Sequence, residues 1–99
     1  MDLQRAKEGL ARLPSLALGD LPSPIEPMDR LRKALGGGPR LLVKRDDALT
    51  FGGGGNKVRK LEMLAAQALA EGADTLVTMG SVQSNHARAT AAVLPGLFA

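Results

Sequence analysis

The stretch Phe51–Glu62, FGGGGNKVRKLE, and the pattern running on from it to Glu71 decide how this chain is read. Gly52 to Gly55 form a turn without side-chain bulk. Val58, Leu61, Leu64, Ala65, Ala68 and Leu69 then recur at helical spacing, which predicts a helix over Lys57–Glu71 with one apolar side. Gly72 is its natural C-cap. Upstream, Leu41, Leu42 and Val43 make an apolar run within Arg40–Arg45 that reads as a strand, closed by Asp46 and Asp47. Downstream, Thr75–Met79 reads as a second strand, apolar enough to be buried on both faces. A polar loop over Gly80–Asn85 leads into a helix over His86–Leu94 that stops at Pro95. Strand, helix, strand, helix in that order predicts an α/β fold with a parallel sheet and flanking helices.

Ahead of this unit, Leu3, Ala6, Leu10 and Leu13 predict a short amphipathic helix that Pro14 ends. Pro22, Pro24 and Pro27 force an extended path through Leu21–Glu26. Pro27 also suits the first turn of a helix over Met28–Leu35, which Gly36, Gly37, Gly38 and Pro39 break off. Two strands make a poor parallel sheet, because such a sheet needs cover on both faces. The 99 residues therefore read as one N-terminal piece of a larger α/β domain, cut or frame-shifted near Leu94. Isolated, such a piece is marginal and is expected to self-associate or to be only partly ordered; if ordered, its strands near Leu41–Lys44 and Thr75–Met79 should pair with those of another copy or lie under helices.

Composition narrows the function. Thirteen basic against ten acidic residues leave a net charge of +3, too weak and too mixed for a nucleic-acid surface. The two aromatics, Phe51 and Phe98, give no stacking platform. The absence of cysteine excludes a disulfide framework, a thiolate zinc site and a cysteine nucleophile. No apolar run approaches the length of a membrane span. Met1–Leu10 carries Asp2, Arg5, Lys7 and Glu8 and lacks the apolar core of a secretory signal, so a cytoplasmic location is expected.

Two clusters carry the chemistry. In the first, the glycine turn offers backbone N–H groups at a helix start, a geometry suited to an anion or a flat cofactor. Lys57 opens that helix, where the macrodipole disfavours a cation. A lysine held there loses some preference for its charged form, which favours an amine nucleophile and Schiff-base chemistry. The phosphate-loop template fails, because Asn56 precedes Lys57 and Val58 follows it. The alternative is a flexible turn with a solvated lysine. Lys57 and Lys60 share a helix face and repel unless an anion such as phosphate lies near them. Arg59, with Lys60 and Glu62, reads as a solvated face, and Lys44–Asp47 as solvated or salt-bridged charges.

The second cluster, Gly80–His86, lies at the C-terminal end of the second strand, where ligands sit in open α/β sheets. Ser84 or Asn85 can cap the next helix, and that helix start can hold a carboxylate. The plain alternative is a cap alone. His86 without an acidic or thiolate neighbour is a weak metal ligand, and no metal site is expected. Ser84 and His86 need not face each other, which argues against a catalytic dyad.

Together, LVKRDD at 42–47, GGNKVRKLE at 54–62, GADTLVT at 72–78 and QSNHAR at 83–88 resemble the D-cysteine desulfhydrase and 1-aminocyclopropane-1-carboxylate deaminase family. These are pyridoxal 5'-phosphate enzymes of the tryptophan-synthase-β-like fold, fold type II. The resemblance covers about Leu16–Ala92, and it rests on the pairing of GGNKxRKLE with QSNxxR. It implies that Lys57 carries the cofactor covalently and that Asn85 hydrogen-bonds the phenolic oxygen of the cofactor ring. Ser84 matches the serine placed against the substrate, the proposed nucleophile in the deaminases. Gln83, Ser84 and Asn85 match the loop receiving the substrate carboxylate, and Lys60 a lysine near the cofactor phosphate.

His86 matches the desulfhydrase-like members, which carry Gln-Ser-Asn-His where the deaminases carry Gln-Ser-Asn-Gln. The resemblance thus implies a lyase acting on a small amino acid, D-cysteine first, with sulfide, pyruvate and ammonia as products, in a homo-oligomer. The deaminase is the alternative within the family. A non-enzymatic remnant that associates with other chains, or a small nucleotide-phosphate-binding protein, is the alternative outside it. Four glycines stand where the family commonly has two, and Val93–Ala99 departs from the family pattern. The family's glycine-rich phosphate loop, pyridine-nitrogen partner and later tyrosines fall beyond residue 99, so the chain alone is expected to be inactive.

Overall fold

The computed structural model describes residues 1–97, and Phe98 and Ala99 lie outside the described residues. The N-terminal helix α1 spans Leu3–Ala11, capped by the Asp2 carboxylate, which accepts from the Gln4 and Arg5 amides. Its apolar stripe is unpartnered, since Leu3 and Leu10 are exposed.

Strand β1, Ile25–Pro27, pairs antiparallel with β2, Leu42–Lys44, in the register Ile25 to Lys44, Glu26 to Val43 and Pro27 to Leu42. Two features differ from expectation. Pro27 lies in a strand, and helix α2 begins later, at Asp29, and runs to Ala34. The flanking ladder bonds explain why. The Arg45 amide donates to the Pro24 carbonyl and the Met28 amide to the Leu41 carbonyl. Pro27 thus falls at a position that asks no N–H of it.

Among the described residues the sheet is this two-stranded antiparallel ribbon, not the expected parallel sheet. Thr75–Met79 forms no strand. Leu76 packs on the core, but Val77 is 89% and Met79 88% exposed. A strand needs a neighbour to complete its hydrogen bonds, and no described strand lies beside this one.

Helix α3, Lys57–Ala70, and helix α4, Asn85–Leu97, build the core. Leu61 and Ala65 of α3 meet Ala89 and Val93 of α4, with Leu16, Leu18, Phe51 and Leu76 around them. Alanines at the contact allow close approach of the two helices. Leu64 and Leu69, assigned to the same apolar side, are exposed. Helix α3 ends in a Schellman motif: Gly72, at φ +71°, donates to the Leu69 carbonyl and Ala73 to that of Ala68.

Helix α4 does not stop at Pro95 but includes it. Pro95 sits in the last turn, where its fixed φ suits a helix and only one backbone bond is lost. Glu62, read above as part of a solvated face, is buried. Its side chain accepts from the Leu18 amide at 3.0 Å and its carbonyl from the Leu16 amide at 2.9 Å, which ties the incoming chain to α3. No described helix is long and apolar enough to cross a membrane.

Candidate functional site

The glycine turn is hydrogen-bonded along its length, and its geometry corrects one expectation. A short 3-10 turn at Phe51–Gly53 opens it. The Gly53, Gly54 and Gly55 amides donate to the carbonyls of Thr50, Phe51 and Asp46, at 3.3, 2.9 and 2.9 Å. These N–H groups are therefore taken up within the turn and do not form an anion cradle. Gly54, at φ +82°, admits no other residue: a Cβ there would overlap the Leu49 carbonyl oxygen and lie 2.9 Å from that of Asp47. The turn works as a fixed spacer that delivers Lys57, half-buried, as the first residue of α3. No side chain caps this helix start.

Asp46 braces the turn from the strand side. Besides receiving the Gly55 amide at its carbonyl, it takes Arg59 through two bonds, from Nε at 2.7 Å and Nη2 at 2.8 Å. Buried Ser23 donates its hydroxyl to the same carboxylate, and the Lys44 ammonium donates to the Ser23 carbonyl. Arg59 is thus a structural ion-pair partner and not part of a solvated face. The Asp46 side chain is 14% exposed. The Arg59 hydrogen bonds, then that from Ser23, hold its carboxyl far below the usual carboxylate range. Next to it, Arg45 bridges Glu26 and Asp47 at 2.8 Å, and its hydrogen bonds lower the Asp47 carboxyl as well.

The start of α4 is the second half of the site. Ser84 is its N-cap: its Oγ accepts from the Ala87 amide at 3.2 Å and its carbonyl from the Arg88 amide at 3.1 Å. Gly80 lies so close to Ser84 that a Cβ there would overlap its side chain. The Asn85 and His86 amides have no acceptor among the described residues. Gln83 and Asn85 are exposed.

At 100° per residue, Asn85, Arg88, Ala89 and Ala92 share one side of α4. Ala89 and Ala92 touch Gly52, and Arg88 reaches the carbonyls of Gly52, Gly53 and Gly54, so this side faces the turn. His86 and Thr90 face elsewhere. They line a groove of about 280 Å³ with Leu61, Ala65, Leu76 and Thr78, and Lys57 is not part of it. The buried Thr78 hydroxyl has no hydrogen-bond partner among the described residues.

The structure therefore brings the Lys57 turn and the Asn85 side of α4 together. It sets His86 in a separate groove and leaves Lys60 exposed on α3. Three participants were missed in the sequence. Asp46 and Arg59 read as ordinary surface charges, and Arg88 sat inside QSNHAR without a role. Among the described residues no three carboxylate or imidazole groups gather as a metal site.

Comparison with known proteins follows the same residues. The pyridoxal-phosphate dependent enzyme family model matches residues 16–96. A D-cysteine desulfhydrase of Klebsiella pneumoniae is 54% identical over 86 residues, 87% of this chain and 26% of its own length. One from Salmonella newport is 54% identical over 84 residues, 85% of this chain and 25% of its own. A solved structure described as an ACC deaminase homologue superposes with a TM-score of 0.81 at 39% identity, over 90% of this chain and 27% of that one. The chain thus spans about a quarter of the length of these relatives. Its ribbon and its α3–α4 pair correspond to one part of the larger fold of that solved structure, and the chain belongs to the pyridoxal-phosphate dependent enzyme family.

Proposed function

We propose that this chain provides the lysine-bearing part of a pyridoxal 5'-phosphate site in a lyase that eliminates sulfide from D-cysteine. The observation that carries the reading is Lys57 itself. It stands at the first position of α3, on a turn that only glycine can form at Gly54, opposite the side of α4 that bears Asn85. The residues present fit the cofactor. Among the described residues the Lys57 amine has no carboxylate partner. The groups at the start of α4, an Asn amide, a Ser hydroxyl and two unpaired amides, suit a polar ring and a carboxylate.

In this reading Lys57 Nζ would hold the cofactor, and its free amine would accept the α-proton. Bound pyridoxal phosphate supplies the electron sink for the charge left at the α-carbon. Asn85 would present its side-chain amide to the cofactor ring. The free Asn85 and His86 amides at the positive end of α4 receive the substrate carboxylate, with Gln83 and Ser84 beside it. Ser84 meanwhile keeps its capping bond, so it acts as a fixed contact. Lys60 serves the phosphate from the next turn of α3. His86 faces the groove and not the turn, so the choice of D-cysteine rests on the relatives at 54% identity. The deaminase is the second reading, favoured by the ACC deaminase homologue. Turnover belongs to a homo-oligomeric, cytoplasmic protein that includes the remaining three quarters of the relatives' length.

A chimaera tests this. The chain replaces the matching quarter of the Klebsiella pneumoniae relative, and products are measured from both substrates. Sulfide and pyruvate from D-cysteine are expected to outpace 2-oxobutyrate and ammonia from the cyclopropane amino acid. Lys57→Ala is expected to abolish both. Faster 2-oxobutyrate would reverse the choice of substrate, and neither product from a folded, cofactor-loaded chimaera would overturn the reading.

A further inference from the structure

We propose that Arg88 is a positioning residue whose guanidinium latches α4 onto the glycine turn and so fixes where Lys57 emerges. The inference rests on the reading of Lys57 above. Arg88 Nε donates to the Gly52 carbonyl at 2.9 Å, and Nη2 reaches those of Gly54 at 3.3 Å and Gly53 at 3.5 Å. One planar cation thus spans three consecutive carbonyls. It has no carboxylate partner among the described residues, so its charge is directed at the turn.

The turn is shaped for this contact. A Cβ on Gly53 would lie 3.2 Å from Arg88 Nε and 3.3 Å from its Cζ, inside the space the guanidinium uses. The amide side of the turn is already bonded to Thr50, Phe51 and Asp46, so those bonds tie the turn to the chain before it. The Arg88 bonds are of another kind, because they tie the turn to the helix that carries Asn85. Asn85 and Arg88 are three residues apart on the same side of α4. Releasing the latch therefore lets Lys57 move relative to Asn85 without disturbing the α3–α4 core. Lysine cannot replace the fork, since one ammonium on a flexible stem cannot hold several carbonyls in a plane.

The test uses the 99-residue chain with Arg88→Met and Arg88→Lys. Hydrogen exchange is followed by mass spectrometry, and borohydride trapping of added pyridoxal 5'-phosphate is mapped to individual lysines. In Arg88→Met, exchange over 51–57 is expected to rise about tenfold, the effect of losing a charge-assisted hydrogen bond, with 61–68 unchanged. Label on Lys57 relative to Lys60 is expected to fall by about the same factor, and Arg88→Lys to recover part of both. A purely structural role would speed exchange throughout and lower both labels together. Unchanged exchange over 51–57 in Arg88→Met overturns the latch. If Arg88→Met loses protection everywhere, Arg88→Lys decides: a rise confined to 51–57 supports the latch, and none overturns it. If the unaltered chain takes no label on Lys57, the cofactor reading fails while the exchange result still judges the latch.

Discussion

Two turns lead into the two helices of the site, and they are held very differently. The one before α3, Gly52–Asn56, is bonded on its amide side to Thr50, Phe51 and Asp46 and on its carbonyl side to Arg88. The one before α4, Gly80–Ser84, follows the unpaired segment Thr75–Met79, and Val82 at its tip is fully exposed. Its geometry comes from the Ser84 cap and the Ser84 amide bond to the Ser81 carbonyl. The lysine half of the site is thus set by contacts within this chain. The half proposed to receive the carboxylate follows a segment, Thr75–Met79, that has no strand partner among the described residues.

The largest effect that would break this contrast is at Gly54. Gly54→Ala forces a side chain into a left-handed conformation and into the Leu49 and Asp47 carbonyls. It should cost about 2–4 kcal/mol in thermal or denaturant unfolding. Gly55→Ala, at φ +102° with open space around it, should cost about 1 kcal/mol. Equal costs would show that the turn is not braced as described.

Next comes acid. The Asp46 carboxyl is depressed in the folded state, so its contribution to stability is present above the ordinary carboxylate range. It is lost as the pH falls below about 4, through the lowered value. Protection over 51–57, measured against the intrinsic exchange rate at each pH, should therefore fall as the pH drops below about 4, ahead of protection over 80–84. Asp46→Asn should show lower protection over 51–57 at neutral pH, nearly flat across that range. A slope that persists in Asp46→Asn would move the acid sensitivity to another group.

The smallest effect is expected on the other side of the comparison. Val77→Thr, at a site that is 89% exposed, should change the stability of the 99-residue chain by less than about 0.5 kcal/mol. In the chimaera the same change is expected to cost more if the added residues cover this segment. A large loss in the short chain would show that Val77 is already packed.

What the sequence revealed follows the same line. Helix α3, its Gly72 end, Lys57 at its start and the Ser84 cap were readable because each depends on residues within a few positions. Thr75–Met79 has a strand's composition, but strand formation depends on a neighbour, and no strand stands beside this segment among the described residues. Pro27 and Pro95 signal breaks locally, yet ladder register and a helix's last turn made room for them. Arg59 and Arg88 act on Asp46 and on glycine carbonyls 13 and 36 positions away, contacts that periodicity does not encode.

The most direct test of the central claim is the site of cofactor attachment. The 99-residue chain is incubated with pyridoxal 5'-phosphate, reduced with borohydride, digested and mapped by mass spectrometry. Lys57 is expected to carry the pyridoxyl group in preference to every other lysine, and Lys57→Ala to remove the visible absorbance. Equal or greater label on Lys44 or Lys60 would contradict the account.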